Sequence, residues 1–556
     1  MRLLIAAVLI VSACAPTATG PPAPAADGPR AGGTVVIAWQ EPDTLLPPFS
    51  TGAQTSALVS ALTIEGLVRV LPDGTFAPAL AEAVPTTANG GVTISADGAM
   101  TVRYRLRPGL RWSDGAPLTS DDVRFTWELI VRDPKVVSRE GYDQISDVDA
   151  SDPRVAAVRY RGVYPAYLTR FGAVLPRHAL GAAADAARSE LSRKPIGTGP
   201  FRVTQFAAGD HIAAERNPYF RTVGRPYLDR VVVRFVGSVE AAKAQLKAGD
   251  VQFAASVSEA DVKALEAAGI VTRSAPSPIV ESVAFNLARP GGEPTDPHPL
   301  FGDVRVRRAL ILATPKQRIV DALLGGLVRP GRSELSLGWA APGDVAQEGF
   351  DPDAARALLD AAGWRAGPDG IRAKEGARAE VRLVGTTGNR LREQVQQVLL
   401  DAWRDVGIAA RIQNVPPNVL TAPWSGNGVR QRGDFDLIIN QLGLGTTGDI
   451  DPQAYLSRRH RCDAIPRAAN GGAGSNYERL CDPRIDALLA EAGATVDVGR
   501  RRDAYASVVR LLNEHAVAIW LYDRLRVDAF RRELDGHAAN PWDQATWDAS
   551  EWHLRR

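Results

Sequence analysis

Short apolar runs along the chain predict strands. TVVIAW follows two glycines at residues 34–39, and the run from Met100 to Leu106 alternates before the turn-rich segment RPGLRWSDG. Three further runs rich in β-branched residues lie at 228–236, 409–415 and 434–440. Because successive side chains of a strand point to opposite faces, runs of this length and composition predict half-buried or buried strands.

Helical segments alternate with these strands. LTSDDVRFTWELI at 118–130 predicts a helix with Thr119 or Ser120 as its N-cap, and Asp121 and Asp122 complement the positive end of the helix dipole. Four more helical segments end at a glycine, namely Gly249, Gly269, Gly363 and Gly407. The last of them carries one apolar face, formed by Leu391, Val395, Val398, Ala402 and Val406. Strands and helices that alternate over hundreds of residues predict an α/β fold.

The first residues predict export. Arg2 precedes nine apolar residues, Leu3 to Val11, and the small residues before Cys14 follow, which is the pattern of a secretory signal peptide. Val11-Ser12-Ala13-Cys14 also resembles a bacterial lipoprotein signal, which would occupy residues 1–13 and make Cys14 the lipidated first residue. The alternative is an ordinary signal peptide that contains Cys14. Residues 14–32 include five prolines and predict a flexible tether after the lipidated cysteine.

Composition excludes several classes of protein. With 556 residues the chain is too long for one compact core, and 45% hydrophobic and 23% charged residues exclude a disordered or fibrous protein. A net charge of +2 offers no electrostatic footprint for nucleic acid. Three cysteines are too few for a disulfide-dense scaffold.

No catalytic motif stands out. His460 lies near Cys462, but Cys481 is the only further thiol and the pattern is weak evidence for zinc, so no metal or other cofactor is expected. Gly443 to Gly448 matches G-x-G-x-x-G, yet Asp449-Ile450-Asp451-Pro452 follows where a dinucleotide site needs a helix. A loop at the end of a strand is the favoured interpretation. Acid pairs leave a secreted hydrolase formally open.

Nine segments, in a shared order, resemble the family 5 extracellular solute-binding proteins, the receptors for dipeptides, oligopeptides and nickel of ABC importers. They are GGTVVIA (32–38), LRPGLRWSDGAPLTSDDVRFTWE (106–128), PIGTGPFRV (195–203), RNPYF (216–220), AQLKAGDVQF (244–253), VAFNLARP (283–290), DVRVRRALILA (303–313), FDPDAARALLDAAGW (350–364) and YERLCDPRIDALLAEA (477–492). The resemblance implies an α/β, two-lobed periplasmic-binding-protein fold with a hinge between the lobes.

The resemblance also implies a division of the chain. Lobe I would cover 33–284 with an extra subdomain at about 50–193, lobe II would cover 285–522, and the chain would return to lobe I at 523–556. The first crossing is placed near Phe285-Asn286. Such a protein is no enzyme: it traps a solute by closing its hinge and then docks on a membrane permease.

The expected partners follow from this resemblance. They are a peptide, most simply a short one, and the permease subunits of an ABC importer with their ATPases. The protein would be a monomer that contacts the membrane only through its lipid, on the outer face of the cytoplasmic membrane. The alternative within the same fold is a non-peptide solute such as a nickel chelate or a glycoside.

The resemblance further implies a disulfide between Cys462 and Cys481, because the dipeptide-binding branch closes a similar loop. Peptide receptors of this family hold the peptide amine with an aspartate soon after the strand that corresponds to DLIIN. The equivalent position here is Gly448. Asp449 or Asp451 would serve instead, or the ligand carries no amine; turn or capping chemistry explains either aspartate equally well.

Two of the remaining candidate ligand residues, Arg390 and Glu41, are placed by the same resemblance. Arg390 is the only arginine in the loop expected to bind a ligand carboxylate, and it is equally a first-turn helix residue. Glu41 matches an acidic position of the cleft. The other candidates for the cleft are Trp39, Trp424, Gln441, Thr446 and Thr447, although a tryptophan is more often part of a core.

Overall fold

The structure of the protein is a computed structural model that describes residues 29–50, 53–181, 185–444 and 450–555. Cys14, Thr446, Thr447 and Asp449 lie outside these residues, as does the signal peptide predicted at 1–13. No helix in the described ranges is long and apolar enough to cross a membrane.

The described strands, in chain order, are β1 (Thr34–Trp39), β2 (Val68–Val70), β3 (Phe76–Pro78), β4 (Val92–Ile94), β5 (Met100–Arg105), β6 (Ile145–Asp152), β7 (Val155–Tyr160), β8 (Phe201–Ala207), β9 (His211–Arg216), β10 (Arg230–Phe235), β11 (Phe253–Ala254), β12 (Val271–Phe285), β13 (Arg365–Ala366), β14 (Arg372–Lys374), β15 (Ala377–Arg378), β16 (Glu380–Thr386), β17 (Ala409–Val415), β18 (Leu437–Gly443), β19 (Ala518–Phe530), β20 (Leu534–Asp535) and β21 (His553–Leu554).

The described α-helices, in chain order, are α1 (Ala53–Ser60), α2 (Ser120–Arg132), α3 (Arg177–Leu180), α4 (Val239–Ala248), α5 (Val262–Ala267), α6 (Val304–Leu312), α7 (Lys316–Leu324), α8 (Pro352–Ala361), α9 (Arg390–Asp405), α10 (Pro417–Leu420), α11 (Val429–Arg432), α12 (Pro452–His460), α13 (Pro483–Gly493) and α14 (Val498–Glu514).

One mixed sheet runs through both lobes in the order β17-β16-β18-β12-β19-β11-β1-β10-β9-β8. Parallel pairs join β1 to β10 and β11, and β16 to β17 and β18, whereas β12 and β19 are antiparallel to each other. We call the part with β1 and β8–β11 lobe I, and the part with β16–β18 lobe II. The α/β fold predicted from the strand and helix pattern is confirmed.

Two long strands, β12 and β19, connect the lobes. The first half of β12 pairs with the end of β19, which also pairs with β11 of lobe I, and the second half of β12 pairs with β18 of lobe II. The β12–β19 register shifts between Pro276 and Val280 and again between Glu281 and Ser282. These irregularities precede the crossing predicted at Phe285-Asn286; the predicted boundaries of the lobes stay predictions.

A second sheet, in the order β4-β5-β7-β6, forms a separate layer within the predicted subdomain segment 50–193. Its core contains the buried side chains of Tyr104, Trp112 and Tyr160. Helix α2 begins with the predicted cap: Thr119 and Asp122 form a capping box, in which the Thr119 backbone N–H donates to Asp122 at 2.9 Å. The choice between Thr119 and Ser120 is thereby decided for Thr119.

Two details of the predicted elements differ from the structure. The strand expected at 434–440 runs from Leu437 to Gly443. The residues before it make side-chain contacts instead: Arg382 binds the Asp434 carboxylate, and His298 binds that of Asp436. In α9 the deepest stripe is Val395, Leu399 and Trp403, while Leu391 and Val398 are only half-buried. Residues spaced by three and by four lie side by side on a helix, so the neighbouring elements decide which stripe points inward.

Candidate functional site

A partly open cavity of about 420 Å³, here called the chamber, lies in lobe I. Its walls come from the loop after β1 with helix α1, the edge of β2 and β3, the subdomain and the last fifteen residues of the chain. Most of the lining is apolar, and four charged side chains converge on it: Glu65, Arg69, Arg221 and Asp543. Mostly apolar cavities of roughly 300–1,000 Å³ with few polar groups are the usual form of a small-molecule site.

Two of the four charges pair with each other. Arg221 donates from Nε to Glu65 Oε1 at 3.0 Å, and its Nη2 lies 2.9 Å from the same oxygen. Both side chains are largely buried. The second oxygen, Glu65 Oε2, is buried and has no hydrogen-bond partner among the described residues. Burial therefore raises the pKa of Glu65 even though Arg221 lowers it.

The other two charged residues, Arg69 and Asp543, have no ion-pair partner among the described residues. Arg69 lies on β2 between the buried Val68 and Val70, and its guanidinium is 5.8 Å from the ring centre of Trp547. In the described ranges no carboxylate lies within 4 Å of its nitrogens. Burial and the neighbouring Arg221 lower the pKa of Arg69. Arg69 is the exposed residue of β2, and it also lines the chamber.

Asp543 is the matching unpaired carboxylate. Its Oδ1 accepts a hydrogen bond from the Gln544 backbone at 2.7 Å, and its carbonyl oxygen accepts one from Arg526 on β19. Burial raises the pKa of Asp543 to about 6, against the opposing effects of the Gln544 backbone N–H and of Arg526 and Arg69. At neutral pH the carboxyl is thus mostly ionised, and no cationic side chain of the described residues contacts it.

The chamber adjoins the contact between the lobes. Val70 and Phe76 line the chamber and also pack in a cluster with Leu335 and Leu442 of lobe II. At its rim Arg458 of α12 lies 3.4 Å from Glu140 of the subdomain. The lobes therefore touch directly beside the chamber.

A buried network in lobe II anchors the end of β18. Glu334 binds His460 at 2.6 Å and accepts hydrogen bonds from Arg459, at 3.0 Å, and from the Tyr455 hydroxyl. Tyr455 in turn accepts a hydrogen bond from the Gly443 backbone at 2.8 Å. His460 and Arg459 lower the pKa of Glu334 to about 2 against its burial. Gly443, the last residue of β18, is therefore tied to this network.

A chain of four charges links the lobes along the connecting strands. Arg392 of α9 donates to Glu281 of β12 at 2.5 Å, and Glu281 also accepts from Arg524 of β19 at 3.1 Å. Arg524 in turn donates to Glu259 of lobe I at 2.5 Å. Both glutamates are almost completely buried, and their charges are compensated by this alternation.

None of the predicted ligand residues in the described ranges lines the chamber. The Trp39 indole donates to the Thr55 carbonyl at 3.0 Å and packs on the core of lobe I, while Glu41 accepts from the Gly209 backbone at 3.2 Å. Arg390 is exposed as the first residue of α9. Their ligand roles stay predictions.

The candidates of lobe II have other contacts. The ring of Trp424 is covered by the Arg432 guanidinium at 4.0 Å, and Gln441 is an exposed residue of β18. The Asp451 carboxylate is bound by Arg501. Thr446, Thr447 and Asp449 lie in the segment 445–449, outside the described residues.

The cysteine pair is joined as the resemblance implied. Cys462 and Cys481 form a disulfide that closes a surface loop of lobe II. Closing a loop of this length contributes on the order of 3 kcal/mol by the chain-entropy estimate. His460 binds Glu334, and no group of metal-ligating side chains occurs within the described ranges.

Sequence reasoning missed all four charged residues of the chamber. Glu65 and Arg69 lie in the otherwise apolar stretch TIEGLVRV, and a charge inside such a stretch is the one local signal that marked them. No local pattern in the sequence marks Arg221 or Asp543 as a cavity residue. They are more than three hundred residues apart in the chain. Only the fold brings them to one cavity.

Comparison with known proteins agrees with this architecture. The family model of bacterial extracellular solute-binding proteins, family 5, matches residues 75–464. The oligopeptide-binding protein AppA of Bacillus subtilis (strain 168) is 27% identical over 472 residues, which is 83% of this chain and 82% of that protein.

Two solved structures show the same fold. AppA of Bacillus subtilis in complex with a nonapeptide has a TM-score of 0.72 at 25% identity and covers 95% of this chain and 100% of its own. NikZ of Campylobacter jejuni in complex with Ni(L-His) has a TM-score of 0.75 at 22% identity and covers 94% and 99%. Likeness over nearly the whole length of both chains includes the two lobes and the subdomain.

Proposed function

The chain belongs to the bacterial extracellular solute-binding proteins of family 5, and from this we propose that it is a lipid-anchored receptor that captures short peptides and delivers them to the permease of an ABC importer. Members of the family are binding proteins of transport systems and not enzymes. The alternative function that the sequence left open, a secreted hydrolase, is therefore wrong. The peptide, the lipid anchor and the permease are the parts proposed.

The likeness to AppA carries the peptide proposal. It extends over more than four-fifths of both chains, so it covers both lobes and not one shared motif. The chamber supports a short peptide, because a volume of about 420 Å³ is near the lower end of what small-molecule sites enclose. The lipid anchor rests on Val11-Ser12-Ala13-Cys14 in the sequence.

The second candidate is a non-peptide solute such as a nickel chelate or a glycoside. One observation favours it: Asp451, a candidate for the amine-binding aspartate, is already bound by Arg501. A ligand without an amine needs no such aspartate.

Native purification followed by mass spectrometry of the copurifying small molecule tests the proposal. Recovery of peptides of a few residues, together with an increase in the melting temperature when such peptides are added, is the expected result. A metal chelate or a sugar in place of peptides contradicts it and supports the second candidate. Replacement of Cys14 by serine should release the protein from membranes without changing its affinity for peptides.

A further inference from the structure

The two strands that connect the lobes are interrupted at one place, here called the bend. Between Pro276 and Val280 of β12, three residues lie opposite a single residue of β19, Arg524. Pro276 and Pro278 have no backbone N–H to donate to a ladder. A bulge of this kind bends a strand and leaves backbone groups unpaired. The bend is therefore a point at which the connection between the lobes yields easily to a change in their angle.

The side chain of Arg524 binds a carboxylate on each side of the bend. Its Nε donates to Glu259 Oε1 at 2.5 Å and its Nη2 donates to Glu259 Oε2 at 3.1 Å, a two-point contact with lobe I. Its Nη1 donates to Glu281 Oε2 at 3.1 Å on β12. Because the guanidinium is planar and rigid, these three contacts together fix the two carboxylates relative to each other.

Glu281 carries the connection on to lobe II. Its other oxygen, Oε1, accepts from Nε of Arg392 at 2.5 Å, in the first turn of α9. Arg392 also donates from Nη1 to the Thr386 hydroxyl at 3.3 Å, at the end of β16. The guanidinium of Arg524 is thus connected through side chains to lobe I on one side and to lobe II on the other.

The contacts of Arg524 oppose a rotation of the lobes. Glu259 and Glu281 are almost completely buried, and a buried charge that loses its partner is strongly unfavourable. A rotation that moves Arg392 away from Glu259 lengthens at least one contact between them. In this structure the lobes touch, since Val70 of β2 and Leu442 of β18 belong to one buried cluster. The contacts of Arg524 are therefore those of the arrangement with the lobes together.

We propose that Arg524 is a hinge lock, which stabilises the arrangement with the lobes together by binding Glu259 and Glu281 at once. Arg524 is a positioning residue, because it acts through the connecting strands and is not part of the chamber lining. The lock goes beyond the proposed function and does not depend on which solute is bound. A solute that needs the lobes together binds with an apparent affinity that falls with the fraction of protein in that arrangement.

Small-angle scattering of the ligand-free wild type and of Arg524→Gln tests the lock. We expect a larger radius of gyration in the variant, because the contacts that hold the lobes together at the bend are lost. Calorimetric titration with trialanine should show an affinity lower by about ten-fold. A variant with a lower melting temperature but the radius of gyration of the wild type overturns the lock and makes Arg524 a residue that only stabilises the fold.

The matched control is an arginine that binds two carboxylates within one lobe. Arg382 of β16 donates to Asp434 at 2.9 Å and to Asp436 at 3.1 Å, all in lobe II. Arg382→Gln should lower the melting temperature but keep the radius of gyration and the trialanine affinity of the wild type. An equal increase of the radius in this control overturns the lock, because the loss of any such arginine would then expand the protein.

Two further variants keep the test decisive. If Arg524→Gln does not fold, Arg524→Lys keeps the charge without the planar fork and should still enlarge the radius of gyration; an unchanged radius overturns the lock. Glu259→Gln removes the end of the chain in lobe I and should enlarge the radius as Arg524→Gln does. The double variant should show no further increase, since both changes break one connection; radii that add contradict the lock.

The proposed function and the lock fail separately. If trialanine and other short peptides do not bind the wild type, the proposed peptide receptor is rejected. The scattering comparison uses no ligand, so it still decides whether Arg524 holds the lobes together.

Discussion

The Asp451 carboxylate receives hydrogen bonds from both terminal nitrogens of Arg501, at 2.8 and 2.7 Å, and both side chains are nearly buried. Asp451 also caps α12 by accepting from the Gln453 backbone at 3.0 Å. Arg501 belongs to α14, so the pair joins two helices of lobe II. An aspartate bound in this way stabilises the lobe and has little capacity left for a ligand amine.

Replacement of Asp451 by asparagine should therefore lower stability more than affinity. We expect the free energy of unfolding to fall by about 3–5 kcal/mol, because Arg501 is left as a buried charge without its partner. Calorimetric unfolding of the variant checks this, with Asp353→Asn as the control, since Asp353 pairs with Arg356 at an almost fully exposed site. An unchanged melting temperature with lost peptide binding would instead make Asp451 a ligand residue.

Asp543 should reduce the stability of the ligand-free protein at neutral pH. Its folded-state pKa is raised to about 6, so the folded state holds the proton more tightly than the unfolded chain does. This contribution is favourable below the unfolded pKa of about 4 and is lost as the pH rises through 6. Asp543→Asn should therefore be more stable than the wild type by about 1–3 kcal/mol at pH 8 and equal to it near pH 4.

Urea unfolding without ligand at the two pH values measures this difference. A destabilised Asp543→Asn at pH 8 would contradict it and would show that Asp543 has a stabilising partner. The affinity of Asp543→Asn for peptides is measured as well. A side chain that serves binding at a cost in stability gives a variant that is more stable but binds less tightly.

His537 should stabilise the fold in a pH-dependent manner, in a higher pH range than that of Asp543. It is buried between Asp548, at 3.2 Å from Nδ1, and Asp528, at 3.2 Å from Nε2. Hydrogen bonds to both aspartates raise the pKa of His537 to about 9, although its burial lowers it. Its stabilisation is thus complete below the unfolded value of about 6.5 and is lost as the pH rises through 9.

The His537→Gln variant tests this by urea unfolding between pH 6 and pH 10. We expect a loss of up to about 3 kcal/mol at pH 6 that shrinks towards pH 10, where the wild-type imidazole is neutral. His178→Gln, which removes an exposed histidine paired with Asp114, should show a much smaller difference at every pH. A gap that does not change with pH would mean that His537 acts through packing alone.

Gly338 should control how closely the lobes approach. A Cβ on Gly338 would lie 2.8 Å from the ring of Trp542, and its φ of +97° disfavours any other residue. Trp542 precedes Asp543 in the return segment and packs in the cluster that the two lobes share. We expect Gly338→Ala to separate the lobes, lower the affinity for peptides and increase the radius of gyration in small-angle scattering.

Gly343→Ala is the matched control, because a Cβ there meets no atom within 4 Å. Its scattering profile and its affinity for peptides should equal those of the wild type. Identical profiles for the two variants would contradict a role of Gly338 in the approach of the lobes.

Local patterns predicted the elements well where the signal is short in range. The strand TVVIAW is β1 with the predicted bounds, and Thr119 caps α2 three residues before Asp122, as the box pattern requires. Gly249 ends α4 with a φ of +89°, which a residue with a Cβ seldom adopts. These features depend on neighbours within a few residues, so the sequence contains the information directly.

The contacts of the predicted site residues depend on residues far away in the chain, so local patterns do not predict them. The sequence predicts Trp39 and Asp451 for the cleft, and these ligand roles stay predictions; the structure adds that Trp39 donates to Thr55 and that Arg501 binds Asp451. The sequence around Asp451 does not indicate that an arginine fifty residues later reaches it. Whether a charged residue is satisfied within the protein is decided by residues that the chain brings together only on folding.

By itself the sequence determined the α/β class, the likeness to a two-lobed receptor and the cysteine pair, because periodicity, caps and ordered family segments are properties of the chain. Only the tertiary structure decided that Glu65 and Arg221 neutralise each other while Arg69 and Asp543 line the same chamber without an ion-pair partner among the described residues. The physical reason is that the cost of a buried charge depends on which opposite charge lies within a few ångströms. That distance does not follow from separation along the chain.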